Sequence, residues 1–320
     1  HALQINENVC EGCSHCMRVC PTEAIRVRDG KAHINEDRCI DCGECFIACP
    51  HKAIFVKQDD FEEIFKYPCR VALVPTVFLG QFKDDISVSR IYAILNELGF
   101  QHVIETEITT PLYTEKKNQL EREGNNKPLI SSFCPAIVRL IQVKFPGLVE
   151  NIMPIKTPLD ITAMYIKRKL EKDGYCNDDI GVFYVTPCAA KIAAVKSPVG
   201  EERSWVDGVI NMDSLYNRVY KKIKEQGHDY KEVKLPIAQL TSDSILMSLT
   251  NGERRLSVSE HSLSIDGINN VIEFLEKVEN DEIEGVDFLE LRACDQSCPG
   301  GILTYNNRFL TCERMFNSAR

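Results

Sequence analysis

The first part of the fold is decided by the stretch Cys10-Glu11-Gly12-Cys13-Ser14-His15-Cys16-Met17-Arg18-Val19-Cys20-Pro21, which recurs about 29 residues later as Cys39-Ile40-Asp41-Cys42-Gly43-Glu44-Cys45-Phe46-Ile47-Ala48-Cys49-Pro50. Both runs follow the pattern C-x-x-C-x-x-C-x-x-x-C-P. Thiolates at this spacing bind three corners of a 4Fe-4S cluster, and the fourth cysteine of each run binds the cluster of the other run when two runs are paired. The sequence therefore predicts a small iron–sulfur module with two clusters.

This pairing divides the eight cysteines between two sites. We expect the first 4Fe-4S cluster on Cys10, Cys13, Cys16 and Cys49, and the second on Cys39, Cys42, Cys45 and Cys20. Zinc is the alternative, because paired C-x-x-C units also build zinc sites. A four-coordinate zinc ion has no use for the duplicated third and fourth cysteines, so we favour iron.

Each run is followed by a short β-like stretch, at residues 24–27 and 53–56. The two stretches complete a compact ferredoxin-like domain that we place at residues 1–57. They are too short to bury much apolar surface, so cluster ligation must supply much of the folding free energy, and removal of iron should unfold the module.

The composition excludes several other classes of protein. The chain has 320 residues, of which 44% are hydrophobic, as in a globular protein of two or three domains. Its net charge of −9 argues against nucleic acid as a partner, since phosphate binding needs a basic face. We find neither a long apolar run nor a signal segment, so we expect a soluble cytoplasmic protein with no membrane partner. Fifteen cysteines in a chain of this size indicate reduced thiols rather than a disulfide framework.

A second domain begins after an acidic, helix-compatible linker at residues 58–66, and we assign residues 58–320 to it. Strand-like and helix-like segments alternate here: strands at 70–74, 102–105 and 180–185, and helices at 87–98 and 213–226. Such alternation predicts an α/β fold with partly parallel sheets. Ligands of open α/β sheets bind at the loops that follow the carboxyl ends of the strands.

Four further cysteines lie far apart in this domain, in loops that contain proline or glycine. They are Cys134 in Ser131-Ser132-Phe133-Cys134-Pro135, Cys188 in Thr186-Pro187-Cys188-Ala189-Ala190-Lys191, and Cys294 with Cys298 in Ala293-Cys294-Asp295-Gln296-Ser297-Cys298-Pro299-Gly300-Gly301. Any one of them alone fits a buried core thiol, because free cysteine packs as a small hydrophobe. Together they favour a shared cluster.

At these three loops the sequence resembles the FeFe hydrogenases, whose motifs read approximately T-S-C-C-P, M-P-C-x-x-K and E-x-M-x-C-x-x-G-C. In that family the loops hold the H-cluster, a 4Fe-4S cubane joined through one cysteine to a two-iron unit with CO, cyanide and a bridging dithiolate. The resemblance implies that Cys134, Cys188, Cys294 and Cys298 bind the cubane and that Cys298 is the bridge. Many members also carry a two-cluster ferredoxin module, so the resemblance covers nearly the whole chain.

The resemblance also implies cofactor contacts outside the cysteines. Lys191 matches the lysine that hydrogen-bonds a cyanide ligand, and an ammonium with three donors suits that task. A surface lysine is the alternative. The segment Val74-Pro75-Thr76 resembles an A-P-S stretch that faces the other cyanide, and Thr76 keeps a hydroxyl to donate there. A helix N-cap is the alternative role for Thr76.

The chain departs from the family pattern where protons would travel. Active members place a second cysteine directly before the first cubane ligand, as a proton relay, and that position is Phe133 here. A phenyl ring has no exchangeable proton. A serine of the same path aligns with Met153, and residues 113–116 do not clearly match its carboxylates. The third motif has Arg292 in place of methionine and Ser297 in place of glycine.

We therefore expect a low-activity member that resembles the sensory FeFe hydrogenases. Its reactants would be dihydrogen and protons, and its partner a ferredoxin or a signalling domain. Sensory members often continue into further cluster and PAS segments, which do not follow Arg320, so we expect either a truncated chain or a separate output protein. The alternatives are a non-catalytic hydrogenase-like assembly protein without the two-iron unit, or a simple electron-transfer ferredoxin with an accessory domain.

Three cysteines have no neighbours at cluster spacing: Cys69, Cys176 and Cys312. We interpret them as structural or incidental. Cys312 has a second interpretation, as part of a further cluster that the end of the chain interrupts.

Overall fold

The computed structural model describes residues 1–124, 127–198, 202–227 and 240–320. Its strands are β1 Leu3–Ile5, β2 Ile25–Arg28, β3 Lys31–Ile34, β4 Ile54–Val56, β5 Cys69–Val74, β6 His102–Glu105, β7 Leu129–Ile130, β8 Ile180–Thr186, β9 Gly208–Asn211, β10 Ser262–Asp266 and β11 Phe288–Arg292. They form two antiparallel pairs, a parallel sheet of four strands and a parallel sheet of three.

The α-helices of the described residues surround these sheets. They are α1 His15–Val19, α2 Glu44–Ala48, α3 Thr76–Leu79, α4 Val88–Glu97, α5 Thr110–Glu123, α6 Pro135–Lys144, α7 Pro158–Lys172, α8 Ala189–Lys196, α9 Met212–Gln226, α10 Ser242–Leu246, α11 Ile268–Glu279 and α12 Arg308–Ser318. No helix in the described ranges is long and apolar enough to cross a membrane.

The N-terminal module has the pseudo-symmetry that its repeated sequence predicts. Strand β1 pairs with β4, and β2 pairs with β3. Helix α1 follows the second cysteine of the first run and contains Cys16, and α2 occupies the same place in the second run and contains Cys45. The apolar side chains between the sheets are few and small, and Cys16 and Cys45 are themselves part of that core. The β-like stretches predicted at 24–27 and 53–56 are present as β2 and β4, each beginning one residue later.

The four-stranded sheet has the order β6-β5-β8-β9, with all strands parallel. Every residue of β8 is buried, as in a sheet that is covered on both faces. One face packs against α4 and α9, and the other against α7. Ser87 caps α4, because its hydroxyl accepts a hydrogen bond from the backbone N–H of Arg90 at 3.2 Å.

The three-stranded sheet has the order β10-β11-β7 and is also parallel. Helices α6 and α11 cover one of its faces with an apolar core that includes Ile137, Leu140 and Val271. The opposite side is closed by an apolar group that we call the plug, which consists of Tyr113, Leu129, Phe133, Met153, Met247 and Phe288.

Both parallel sheets direct the carboxyl ends of their strands to loops that carry the predicted site residues. Cys134 lies beyond the end of β7, Cys188 beyond β8 and Cys294 beyond β11, while Thr76 follows β5. The prediction of an α/β domain with parallel sheets behind a ferredoxin-like module is therefore confirmed. Within the linker, which the sequence describes as helix-compatible, residues Phe61–Lys66 form a 3-10 helix with Asp60 as its N-cap.

The ferredoxin module packs directly on the second domain. A Cβ atom at Gly43 would lie 2.6 Å from the Ile302 side chain, so this glycine, at φ 89°, allows the close approach. Leu303 and Ile192 of the second domain share the apolar core of the module. The second cysteine run therefore lies against the loop that carries Cys298.

Candidate metal centre

The module contains two cavities, and each is lined by one of the predicted sets of four cysteines. One small cavity is bordered by Cys10, Cys13, Cys16 and Cys49. The other is bordered by Cys20, Cys39, Cys42 and Cys45. The fold thus brings the fourth cysteine of each run to the other run's site, as the crossed pairing requires.

Backbone N–H groups point at the thiol sulfurs in the same way in both repeats. The N–H of Ala24 donates to Cys20 Sγ at 3.2 Å, and the N–H of Ala53 donates to Cys49 Sγ at 3.3 Å. Ala32 donates to Cys10 Sγ at 3.4 Å. Such hydrogen bonds stabilise thiolates and tune the reduction potential of a bound cluster.

The sulfur spacing disfavours zinc. Among the described residues, the set of three metal-binding side chains with ligand atoms within 4.8 Å of one another is His1, Cys39 and Asp41, and no three cysteines meet that limit. A tetrahedral zinc ion with Zn–S bonds of about 2.3 Å needs thiolates about 3.8 Å apart. The wider spacing around each cavity suits a multi-iron cluster.

The four cysteines of the second domain are held by helix starts and tight loops. Cys134 is the N-cap residue of α6, and Cys188 is the N-cap residue of α8. Cys298 opens the 3-10 helix Cys298–Gly300. A Cβ atom at Gly301 would lie 2.4 Å from the carbonyl oxygen of Pro187, so glycine is needed for this loop to reach the one that carries Cys188.

These four thiols lie close enough to influence one another electrostatically. Burial raises the pKa of Cys294 well above its usual range, and the charges of Cys188, Cys134 and Cys298 raise it further. Burial likewise raises the pKa of Cys188 to about 12, with Cys298 and Cys134 adding to the effect. Four thiolates cannot share such a site without a cationic centre, and a metal that they coordinate keeps them deprotonated. The donor set therefore fits an iron–sulfur cubane.

Lys191 lies at this site and not on the open surface. Its Nζ is 3.9 Å from Cys298 Sγ and donates to the Tyr184 hydroxyl at 3.2 Å. Burial lowers the pKa of Lys191, but the charges of Cys298 and Tyr184 outweigh burial and raise the pKa above its ordinary value. Lys191 and Phe133 also line a small cavity beside the cysteines. Lys191 is only partly buried, but its contacts favour the site role over the surface-lysine alternative.

Glu107 is a site residue that the sequence reasoning missed. Its carboxylate is buried on the wall of the Lys191 cavity and accepts hydrogen bonds from Thr106 Oγ1 at 2.7 Å, the Thr76 N–H at 3.1 Å and Ser248 Oγ at 3.0 Å. Burial raises the pKa of Glu107, whereas these donors and Lys191 lower it. Its signal was available, since it lies two residues beyond the carboxyl end of β6, beside β5.

Thr76 lies at the start of α3, and its hydroxyl is hydrogen-bonded within the protein. Pro75 is the N-cap residue of α3 and Thr76 is the first helical residue, so the N-cap alternative is wrong. The Thr76 hydroxyl donates to the carbonyl oxygen of Ile245 at 3.3 Å. Thr76 lines a separate cavity of about 610 Å³ together with Glu105, whereas Val74 is buried at the end of β5. The structure does not bring the hydroxyl into the cavity of Lys191.

Phe133 fills the position of the proton-relay cysteine with a buried ring that is 5% exposed. Lys191 Nζ lies 4.9 Å from the ring centroid, and Arg292 Cζ lies 3.8 Å from it. The ring belongs to the plug together with Met153 and Tyr113, and the plug packs against Cys298. Apolar side chains therefore occupy the expected proton path next to the cysteines.

The three remaining cysteines have different surroundings. Cys69 is buried in β5 and Cys176 is exposed. Cys312 is buried in α12, where its Sγ lies 3.9 Å from Gln296 Oε1, and burial raises its pKa to about 11. All fifteen cysteines are free thiols.

Two parallel sheets that converge on four cysteines, beside a module with two further four-cysteine sites, define an iron–sulfur protein of the hydrogenase fold. The family model "Iron only hydrogenase large subunit, C-terminal domain" matches residues 70–259, and the model "4Fe-4S dicluster domain" matches residues 2–50. The first match covers more than half of the chain, so the chain belongs to the iron-only hydrogenase family. Its cofactors are 4Fe-4S clusters and an H-cluster, with or without the two-iron unit.

Individual relatives agree with this assignment. The periplasmic Fe hydrogenase large subunit of Nitratidesulfovibrio vulgaris is 30% identical over 212 residues, which cover 60% of this chain and 50% of the relative. Iron hydrogenase 1 of Clostridium pasteurianum is 23% identical over 253 residues, 75% of this chain and 42% of the relative. The NADP-reducing hydrogenase subunit HndD of Solidesulfovibrio fructosivorans is 23% identical over 312 residues, which cover 89% of this chain and 47% of the relative. The chain spans about half the length of these relatives.

Solved structures share the fold. A structure of HydA(deltaEFG), described for stepwise assembly of the FeFe hydrogenase H-cluster, superposes with a TM-score of 0.60 at 15% identity and covers 81% of this chain and 87% of that chain. A structure from work on oxygen inactivation of FeFe hydrogenase gives a TM-score of 0.60 at 16% identity, with coverage of 78% and 83%.

Proposed function

We propose that this protein binds dihydrogen at an H-cluster held by Cys134, Cys188, Cys294 and Cys298, and that it oxidises dihydrogen or reduces protons slowly, mainly to sense hydrogen or redox state. One observation carries the proposal. The Lys191 ammonium lies 3.9 Å from Cys298 Sγ beside a small cavity, while the relay position is closed by the Phe133 ring.

The residues around the cavity have separate tasks. When bound, the two-iron unit supplies an electrophilic iron and an amine base for the splitting of dihydrogen. Lys191 offers a compact charge with three donors to an anionic ligand, which a low-dielectric cavity makes stronger. Phe133 excludes water and offers no exchangeable proton. Loss of a positioned proton-transfer group slows turnover by roughly 10²–10⁴-fold, so this chain should be slow.

Electrons have a short way out through the module. Cys42 of the second cluster site packs in the same apolar core as Cys134 and Cys188. Its charge also contributes to the raised pKa of Cys294, after burial and the nearer thiols. We infer an electron route from the H-cluster to the second module cluster and then to the first, where Cys13 is exposed to a redox partner such as a ferredoxin or a signalling domain.

The plug also favours a second candidate function. A protein that needs no protons at its cluster can fill the path with Phe133 and Met153 at no loss, as expected for a non-catalytic iron–sulfur protein without the two-iron unit. Lys191 argues the other way, because an ammonium directed into a cavity gains most from an anionic ligand there. The cytoplasmic location expected from the sequence stays a prediction.

Infrared spectroscopy separates the two candidates. Anaerobic protein with reconstituted 4Fe-4S clusters is incubated with a synthetic diiron cofactor, and the Cys298→Ser variant serves as a control that lacks the bridging thiolate. Bands from metal-bound CO and cyanide in the parent protein, absent from the control, are the result that we expect. Equal spectra without such bands, from protein with full cubane iron content, would overturn the proposal and favour the non-catalytic protein.

A further inference from the structure

Arg292 is a buried cation next to the cubane cysteines. It is the last residue of strand β11, two residues before Cys294, and its side chain is 2% exposed. Nη2 lies 2.9 Å from Glu253 Oε2 and donates to the carbonyl oxygen of Met247 at 3.4 Å, and Nε lies 3.5 Å from Glu290 Oε1. The guanidinium is therefore held by two carboxylates.

Part of the Arg292 guanidinium has no hydrogen-bond acceptor. Within the described ranges, Nη1 of Arg292 is buried and makes no hydrogen bond, and Nε makes none of good geometry. Buried polar groups are normally hydrogen-bonded, and an unsatisfied donor of a charged group is costly. Nε lies 3.5 Å from Glu290 Oε1, which also lacks a hydrogen bond, so these two groups can satisfy each other, whereas Nη1 has no such neighbour among the described residues. An acceptor that is not part of the polypeptide is therefore expected beside Arg292.

Arg292 also lies close to the loops of the assigned cubane ligands, since it comes two residues before Cys294. The guanidinium lies on the Phe133 ring at 3.8 Å, and that ring belongs to the plug that packs against Cys298. Arg292 thus lies between the loops of two cysteines that we assign to the cubane.

We propose that Arg292 binds the H-cluster, with a guanidinium N–H donating to a sulfur or cyanide acceptor of the cofactor. This inference rests on the cysteine assignment of the proposed function but not on hydrogen turnover. Guanidinium is planar and presents five donors in a fixed fork, so it can hold two carboxylates with one edge and a soft anionic acceptor with another. Methionine, which the family pattern has at this position, cannot donate at all. Arg292 is then a second cationic contact besides Lys191.

The test uses the reduction potential of the cubane in protein that carries its 4Fe-4S clusters but no two-iron unit. A positive charge favours the reduced cluster, so Arg292→Met should move the cubane midpoint potential to a more negative value. Glu253→Gln removes the opposing charge while keeping an acceptor for Tyr113, and it should move the potential in the opposite direction. Cubane iron content and electron paramagnetic resonance of the reduced cluster are recorded for each variant.

A second arm locates the acceptor. In protein matured with a synthetic diiron cofactor, a shift of the cyanide bands in Arg292→Met indicates an acceptor on the two-iron unit, whereas a potential shift confined to the cubane indicates a cubane sulfur. Absence of CO and cyanide bands in every protein would contradict the proposed function but leaves the cubane arm readable.

The proposal is overturned if Arg292→Met retains full cubane iron and leaves the potential, the resonance spectrum and the cyanide bands unchanged. If that variant does not fold, Arg292→Met/Glu253→Gln is compared with Glu253→Gln, because the two proteins differ only at position 292 and neither leaves an unpaired carboxylate at position 253. The same potential, resonance spectrum and cyanide bands in both proteins also overturn the proposal, and a difference between them supports it.

Discussion

Replacement of Phe133 by cysteine should raise hydrogen evolution and lower stability at once. The ring is 5% exposed and contacts both Lys191, at 4.9 Å, and Arg292, at 3.8 Å. Truncation of a buried phenylalanine costs about 3–5 kcal/mol through lost burial and the cavity left behind. Two cation–π contacts of about 0.5–2 kcal/mol each are lost as part of this change. For Phe133→Cys we expect a loss of stability near the lower end of the range of about 3–5 kcal/mol, because the cysteine side chain occupies part of the space of the ring.

The gain in rate has an upper limit that the plug sets. A positioned proton donor is worth about 10²–10⁴-fold, but Met153 and Tyr113 still close the path behind position 133. The single variant should therefore gain less than this range. Phe133→Cys/Met153→Ser should approach it, because it restores both of the replaced groups that lie beside the cysteines.

The assay is hydrogen evolution from a reduced viologen by matured protein, divided by the H-cluster content measured from infrared bands. Phe133→Ala is the matched control, since it opens a similar cavity without supplying an exchangeable proton. We expect a higher rate of hydrogen evolution for Phe133→Cys than for Phe133→Ala, and a rate for Phe133→Ala near that of the parent protein. Equal rates for Cys, Ala and the double variant, at equal H-cluster content, would refute the idea that proton supply limits this protein.

Three further predictions concern stability and metal content. Lys117→Met should lower the free energy of unfolding in urea by about 3–5 kcal/mol, because it removes the cationic partner of Glu121 from a fully buried ion pair of 2.5 Å. The control Lys117→Met/Glu121→Gln should be closer in stability to the parent protein. Equal stability of the parent and of Lys117→Met would contradict this prediction. Cys49→Ser should lower iron by about four atoms per chain without loss of the second module cluster, measured by iron analysis and electron paramagnetic resonance; loss of both or neither argues against the crossed pairing. Burial raises the pKa of Glu105 from 4.5 to about 7, so between these pH values the folded state binds more protons than the unfolded state. The free energy of unfolding should therefore fall by about 3 kcal/mol as the pH rises through this range. Urea midpoints of Glu105→Gln, measured over the same range, should lack this pH dependence.

Much of the architecture follows from local patterns. The fully apolar run of β8 and the amphipathic α4 were predicted to within about two residues, since burial on both faces or on one leaves a clear period in the sequence. Strand β11 was not predicted. Its sequence Phe-Leu-Glu-Leu-Arg alternates like a half-exposed strand, yet Glu290 and Arg292 are both buried because they pair with each other and with Glu253. The alternation could have indicated a strand, but the burial of both charged residues depends on the distant Glu253 and could not be inferred from it.

The site was predictable where its residues lie close together in the sequence. The cysteine spacing indicates the cluster sites directly, and Lys191 lies one helical turn after Cys188, so the two residues stay together in the fold. Glu107 and Arg292 act through neighbours that lie over 30 residues away in the chain. The sequence showed Arg292 only as a departure from the family motif, whereas the structure shows its ion pair with Glu253.

The close approach of Gly43 to Ile302 has a consequence for the proposed electron route. The module shares an apolar core with the second domain, so it is packed as a fixed part of the molecule and not as a tethered domain. Under the proposed function, its two clusters would form a fixed path, and an external redox partner would dock near Cys13, which is exposed. A change in the conformation of the Cys298 loop would also act on the second cysteine run of the module, because Ile302 lies against Gly43.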